Sequence, residues 1–329
     1  MKKILVTGGA GYVGARLVPR LLDVGYEVRI LDLMIYGTDV FGEYTNHRNL
    51  QVVKGDIRNP KTVKLAVDGV NSVIHLACIS NDPSFDLNPE LGKSINLDAF
   101  RPLVEAAKRS EVDRFIYASS SSVYGVKDFE GVSEETPLEP LTDYSKFKAQ
   151  CEQILAEYHD EDFTTVTVRP ATVCGFSLRQ RFDVIVNALT NHAFNNRKII
   201  VHGGAQKRPN IHIDDMVDVY LQFLELEKDK IAGKVYNFGF ENHTVGKLSK
   251  IVQKVMGDDV MIEIAPVNDP RSYHISSDKI QRELGIAPKR TIEDAVEDMK
   301  KAFERGMYPN SMTASRYFNI KTMNEIKLK

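Results

Sequence analysis

The 329-residue sequence is short of cysteine, of net charge and of long apolar runs, and each shortage removes a class of protein. Its three cysteines, Cys78, Cys151 and Cys174, form neither a CxxC pair nor an even-numbered framework, so no disulfide is expected and a reduced compartment fits. No metal site is assigned. The 43 basic and 45 acidic residues are interspersed and leave a formal net charge of -2, which gives no general attraction to DNA, RNA or an anionic membrane. Any phosphate has to be gripped locally. After two opening lysines only Ile4, Leu5 and Val6 precede the first glycines, too short a run for a signal core, and no later stretch is long enough to span a bilayer. A cytoplasmic protein is expected. There is no internal repeat and no low-complexity tract.

What is present reads as globular: 43% hydrophobic and 27% charged residues, in a chain longer than one hydrophobic core usually organises. The first half alternates short β-rich runs with helical patterns, the signature of βαβ units and a parallel sheet. Strands are predicted at Ile4–Val6, Val28–Leu31, Val52–Val53, Ser72–Leu76, Arg114–Ala118 and Thr165–Val168, with helices such as Leu17–Leu22 and Leu103–Lys108 between them. After Gly175 the rhythm changes to a helix near Asp183–Phe194, a strand at Ile199–Val201 and a turn at His202–Lys207. Residues 1–174 are therefore read as one domain and 175–329 as a second lobe with a tail. Residues 212–238, a helix and a strand, return to the first sheet. Thr291 and Asp294 form a capping box for the last long helix. The tail from Gly306 holds Met307, Tyr308, Tyr317 and Phe318, enough to dock on the body or a partner.

Gly8, Gly11 and Gly14 follow the first strand at GxxGxxG spacing and open a helix. Glycine lets the backbone turn and approach a pyrophosphate, and the helix start offers unpaired N–H donors. An ordinary glycine-rich turn is the competing reading, but Asp32 ends the second strand, where a carboxylate accepts from adenosine ribose hydroxyls and repels a 2′-phosphate. Leu33 and Met34 supply no compensating cation, so NAD is favoured over NADP. Asp56, in Gly55-Asp56-Ile57, is positioned to meet the adenine amino group or is a solvated turn aspartate.

Tyr144 and Lys148 are four residues apart and share a face if the segment is helical. A nearby ammonium favours the phenolate of a tyrosine that otherwise titrates near ~10. An exposed amphipathic turn explains the spacing equally well in isolation. The run Tyr117-Ala118-Ser119-Ser120-Ser121-Ser122-Val123-Tyr124-Gly125 ends a predicted strand, where ligands of doubly wound sheets bind, and a serine there can donate to a reacting oxygen and relay its proton toward Tyr144.

TGGAGYVG, Asp32, ASSSSVYG and YSKFK, in this order and spacing, resemble the extended short-chain dehydrogenase/reductase family of NAD-dependent sugar-nucleotide epimerases and dehydratases; the resemblance spans nearly the whole chain. It implies an α/β fold, a Rossmann-type doubly wound parallel sheet with a smaller C-terminal substrate-binding lobe. It also implies NAD as cofactor, a nucleotide-diphosphate sugar as substrate, and a homodimer pairing through Tyr144–Tyr158 and Leu91–Lys108. By the same resemblance Tyr144 is the acid/base, Lys148 the cation that lowers its pKa and holds the nicotinamide ribose, and Ser120 the hydrogen-bonding hydroxyl. Cofactor contacts fall on Gly8, Gly11, Tyr12, Val13, Gly14, Asp32, Asp56, Ile57, Leu76, Ala77, Asn96, Tyr144, Lys148 and Pro170. Asn96 matches the asparagine that positions the active-site helix. Cys78 stands where the family has alanine and reads as a small buried thiol. Substrate contacts are expected from Ser121, Ser122, Arg181, Asn187, Arg208 and Arg271. Arg208 matches the diphosphate-gripping arginine, beside Pro209 in a loop, whereas Arg181 and Arg271 also read as surface ion pairs.

Family members that eliminate water across C5 and C6 carry Asp and Glu where this chain has Ser121 and Ser122, and a hydroxyl is a poor substitute in proton abstraction. The glutamate of the decarboxylases is missing too. Hydride chemistry at C4 without elimination remains: a 4-epimerase of surface polysaccharide biosynthesis first, then a hexose or heptose 4-dehydrogenase or 4-ketoreductase. A 4,6-dehydratase ranks below these, and a non-catalytic NAD-sensing protein last. The stretch Gly175 to Asp183 with Asn187, and Asp269 to Tyr273, keep the dehydrogenase reading open, being closer to a subgroup that includes nucleotide-heptose dehydrogenases.

Overall fold

The computed structural model describes residues 2–80, 82–127, 129–266 and 274–327. Six strands come first: β1 (Lys3–Thr7), β2 (Glu27–Asp32), β3 (Leu50–Lys54), β4 (Ser72–His75), β5 (Arg114–Ala118) and β6 (Thr164–Pro170). All pair in parallel in the order β3-β2-β1-β4-β5-β6, and Lys234–Phe238 adds a seventh parallel strand beside β6. Buried on both faces, these strands alternate between two cores because successive side chains point to opposite sides. Ile4 and Val6, Val28 and Ile30, Ile74 and Ile116 enter one core, under helices Gly14–Asp23 and Ile213–Glu225. Leu5, Leu31, Val73, Phe115 and Tyr117 enter the other, under Pro60–Val67, Phe100–Arg109 and Asp143–Ala156. The chain reverses its winding direction between β1 and β4, and a crevice opens beyond their carboxyl ends.

The second lobe starts before residue 175, because Thr172–Cys174 pairs with Lys207–His212, which pairs in turn with Glu241–Thr244. Lys198–His202 and Met261–Ala265 form a separate parallel pair. Helices Ile185–Asn196, Val245–Met256 and Ile292–Glu304 close over them around Val186, Leu248, Val252 and Met299. The capping box is present: Asp294 N–H donates to Thr291 Oγ1 at 3.1 Å, and Thr291 N–H to the Asp294 carboxylate at 2.8 Å. The expected turn ends where Lys207 starts a strand, so Arg208 and Pro209 lie in a sheet and not in a loop. The tail docks on the body through Tyr308 and Tyr317, packed with Phe182 and Phe303. Among the described residues no helix is long and apolar enough to cross a membrane.

Candidate active site

A cleft of about 370 Å³ opens at the strand reversal and carries the glycine turn, the ends of β2 and β4, the serine run and the start of the Asp143–Ala156 helix on its walls. Its floor is tight. A Cβ on Gly8, whose φ is +71°, would lie 2.6 Å from the Ala77 amide nitrogen beyond β4, and one on Gly14 would lie 2.4 Å from the Gly9 carbonyl. Helix Gly14–Asp23 begins at Val13 without a side-chain cap; Ala15 and Arg16 N–H donate to the Gly11 and Val13 carbonyls, and the positive end of the helix dipole lies at the glycine turn. These features fit a dinucleotide pyrophosphate.

At the end of β2 the Asp32 carboxylate accepts from Ala10 N–H at 3.0 Å and Met34 N–H at 2.7 Å. Burial pushes this carboxyl up, while the two amides and the charge of Arg179 pull it down. An acid fixed in this way keeps its remaining lone pairs for a further donor, such as a ribose hydroxyl would supply. Replacing Asp32 with Ala is expected to weaken NAD binding roughly 10-fold, the value of a charge-assisted hydrogen bond, and to improve NADP binding, both read by calorimetry. Asp56 also lines the cleft, but its carboxylate is engaged by Arg58, at 2.6 Å from Nη2. The neighbouring guanidinium holds Asp56 below its usual range despite burial.

The Asp143–Ala156 helix brings Tyr144 and Lys148 to one wall, as their spacing predicts. Lys148 is buried and donates to the Ala118 carbonyl at 2.6 Å, tying the helix to the end of β5. Its ammonium lies 5.9 Å from the Tyr144 ring centroid and 5.0 Å from that of Tyr117. His75, buried against Tyr117 and bonded to Thr7 Oγ1 at 2.7 Å, has its pKa pushed down to about 3 by burial and by the charge of Lys148, so it is neutral here. Burial pushes the Tyr144 phenol well above its ordinary value, Cys78 and Asp82 act the same way, and Arg181 and a hydrogen bond with Ser120 oppose them.

Hydroxyls continue outward from that bond. Ser120 Oγ lies 2.9 Å from Ser122 Oγ, Ser145 Oγ donates to Ser122 at 2.9 Å, and Thr142 Oγ1, 2.9 Å from Ser145, donates to Asp82 at 2.6 Å. Ser122 is thus committed to its neighbours. Behind the serines, Ser119 donates to Glu152, which is bonded by Arg169 at 2.6 to 3.1 Å; Arg169 also donates to Tyr124 at 2.7 Å.

Gly8, Gly11, Tyr12, Val13, Gly14, Asp32, Asp56, Ile57, Leu76, Ala77, Ser120, Ser121, Ser122, Tyr144, Lys148, Pro170 and Arg181 share the cleft. Four expectations need correction. Asn96 is buried off the cleft, where its amide clamps both polar groups of the Ile79 backbone, at 2.8 and 2.9 Å, and so holds the segment after β4. Asn187 is wholly buried, its amide committed to Gly175 N, the Tyr12 hydroxyl and the Arg181 carbonyl, and it has no surface for a substrate. Arg208 lies in its strand, donates to the Lys207 carbonyl at 3.0 Å and is not among the residues lining the cleft. Cys78 is half-buried on the cleft wall and not a core thiol. Arg271, with the Asp269 to Tyr273 stretch, lies outside the described residues. The reading by sequence missed Arg179, Tyr36 and Asn319 on the same wall. Arg179 was visible inside the Gly175 to Asp183 stretch, but nothing near Asn319 marked it.

A doubly wound sheet with a glycine cradle, an acidic β2 end and a Tyr/Lys pair at one crevice defines a dinucleotide-dependent enzyme of the short-chain dehydrogenase type. The chain belongs to the NAD dependent epimerase/dehydratase family, whose model matches residues 4–239. It is 30% identical over 306 residues to the low-salt glycan biosynthesis protein Agl12 of Haloferax volcanii, covering 89% of this chain and 96% of that one. It is 29% identical to human dTDP-D-glucose 4,6-dehydratase, covering 88% and 86%, and 26% identical to Bacillus subtilis UDP-glucose 4-epimerase, covering 90% and 95%. The structure of MoeE5 in complex with UDP-glucuronic acid and NAD superposes with a TM-score of 0.80 at 25% identity, over 92% of this chain and 99% of that one. The human and Bacillus relatives are named for reactions on nucleotide-linked sugars, and NAD is the cofactor of the family.

Proposed function

We propose that this protein is a nucleotide-sugar 4-epimerase of surface polysaccharide synthesis, acting on the C4 carbinol with Tyr144 as acid/base. The observation that carries the reading is the serine pair at the mouth of the cleft: Ser121 is buried and Ser122 is hydrogen-bonded to Ser120 and Ser145, so neither supplies the carboxylate that elimination needs. Bound NAD supplies the hydride acceptor and, in an epimerase, gives the hydride back. The protein's own groups handle the proton. As the C4–H bond breaks, the phenolate of Tyr144 takes the proton from the C4 hydroxyl, and the C4–O bond becomes a carbonyl; when the ketone has turned, the same oxygen returns the proton. Ser120, bonded to Tyr144, orients the sugar oxygen, and Lys148, whose ammonium lies 5.9 Å from the Tyr144 ring centroid, stabilises the phenolate. The glycine turn, Asp32 and the Leu76–Ala77 backbone hold the dinucleotide, and Arg181 faces the sugar side.

The turnover of purified protein with UDP-, GDP-, CDP- and dTDP-sugars and substoichiometric NAD, followed by NMR and 340 nm absorbance, tests this. A C4 stereoisomer without net NADH is expected. Net NADH or accumulated 4-keto sugar gives instead the 4-dehydrogenase reading, and a 6-deoxy-4-keto product overturns the serine argument.

The pH dependence has a defined sign. Reaction needs Tyr144 deprotonated, so kcat/KM rises with pH through its apparent pKa, and removing the adjacent cation by Lys148→Met raises that pKa and moves the limb to higher pH. A pH–rate profile of both proteins reads the shift. We also propose a homodimer through Tyr144–Tyr158 and Leu91–Lys108; light scattering is expected to give twice the 37.1 kDa chain mass.

A further inference from the structure

The segment from Gly175 to Asp183 crosses over the glycine turn. The Tyr12 hydroxyl donates to the Gly175 carbonyl at 2.8 Å, Ser177 Oγ donates to the Tyr12 carbonyl at 2.9 Å, and the Arg16 guanidinium sits 5.6 Å from the Phe176 ring centroid. This course carries Arg179 into the cleft wall, its guanidinium carbon 3.5 Å from the centroid of the Tyr36 ring. Arg179 is only 3% exposed. Its hydrogen bonds go to neutral acceptors, Asn319 Oδ1 at 2.5 Å and the Gln180 carbonyl at 3.4 Å, and its Nε–H has no partner. Nearby Arg181 is also buried, with one unpartnered nitrogen, and the adjacent carboxylate, Asp183, is already paired with Arg181 at 2.7 Å. Arg181 thus takes the Asp183 carboxylate and Arg179 has no directly bonded carboxylate, while Asp32, whose carboxyl feels the charge of Arg179, is bonded to the Ala10 and Met34 amides. A buried guanidinium does not shed its proton, and one with an unpartnered N–H and no directly bonded carboxylate has donors to offer an entering anion.

We propose that Arg179 binds a diphosphate in this cleft and that the C-terminal segment latches it there through Asn319. A diphosphate matches the planar fork of a guanidinium, which makes paired charge-assisted hydrogen bonds to phosphate oxygens. The latch is built from four contacts: Asn319 Oδ1 accepts from Arg179 and, at 3.0 Å, from the Tyr36 hydroxyl; its Nδ2 donates to Ser80 at 3.1 Å; its backbone N–H donates to Asp183 at 2.9 Å. The tail therefore contributes a wall to the site, beyond the apolar docking of Tyr308 and Tyr317. The diphosphate belongs either to the dinucleotide or to the sugar nucleotide; this inference rests on the dinucleotide-dependent reading, but its test measures binding and not turnover, so it fails independently of the epimerase proposal.

The test titrates ADP-ribose, UDP and adenosine into full-length wild type, Arg179→Gln, Arg179→Lys and Asn319→Asp by calorimetry or NMR, with circular dichroism to check folding. Arg179→Gln is expected to lose roughly 10- to 100-fold in affinity for ADP-ribose if the dinucleotide is the source, or for UDP if the sugar nucleotide is, with less loss in Arg179→Lys. Adenosine, which lacks phosphate, should bind unchanged. Asn319→Asp keeps the arginine but gives it an internal anion, and the same diphosphate ligand should weaken even if Arg179→Gln fails to fold. Unchanged binding of ADP-ribose and UDP in the folded variants, or an equal loss for adenosine, overturns the proposal.

Discussion

Tyr144→Phe is expected to lower turnover on the cognate nucleotide sugar by roughly 10²- to 10⁴-fold while leaving NAD affinity within a few-fold of wild type. The substitution deletes one oxygen and keeps the ring against Lys148, so packing is nearly conserved; what disappears is the group proposed to take the C4 hydroxyl proton. Without it the developing alkoxide keeps the Ser120 hydroxyl as a hydrogen-bond donor. The loss should fall on kcat more than on KM, because the proton is transferred in the transition state and ground-state binding is carried elsewhere in the cleft. Product formation by NMR, alongside NAD titration, separates the two. Full activity in Tyr144→Phe would remove the acid/base assignment.

The second large effect concerns stability. Glu152 and Arg169 form an ion pair whose side chains are each only 6% exposed, joining the Asp143–Ala156 helix to β6 directly beneath the serine run. Burial disfavours the Arg169 charge, but the hydrogen bonds and charge of Glu152 more than offset it and leave Arg169 more basic than usual. Glu152→Ala strands that cation and frees Ser119, and it is expected to cost about 3–5 kcal/mol in denaturant unfolding, the range for breaking a buried pair. The double variant Glu152→Leu/Arg169→Met removes both charges and should be less destabilised than the single one. If the single variant unfolds like wild type, the pair contributes nothing net.

The parallel sheet was legible because each strand is a short apolar run bounded by turn residues, and burial on both faces leaves few other uses for such runs. Six strands predicted from the sequence overlap β1 to β6. Boundaries were less visible: β3 extends over Leu50–Lys54, whereas only Val52 and Val53 read as strand, because its remaining positions are exposed or half-buried. The core of the site was legible too, since the glycines, Asp32, Ser120, Tyr144 and Lys148 lie within or at the ends of elements that periodicity identifies. Asn187 misled because residue type alone does not reveal where a side chain points, and Arg208 was read in a loop. Arg208 joined a strand, and Asn187 turned inward to satisfy buried backbone groups.

The amino-acid sequence by itself determined what local rules can set: the glycine turn that admits a backbone close to a ligand, the helical spacing of Tyr144 and Lys148, and a run of serines at the end of a strand. Tertiary structure alone decided which distant segments complete the cleft. Arg179, Tyr36 and Asn319 meet although Tyr36 and Asn319 are separated by 283 positions. No periodicity or motif encodes such a meeting. It arises because the Gly175 to Asp183 segment is drawn over the glycine turn by Tyr12 and Ser177, and because the tail's aromatic residues bury themselves beside Phe182 and so deliver Asn319 to a guanidinium that has no directly bonded carboxylate.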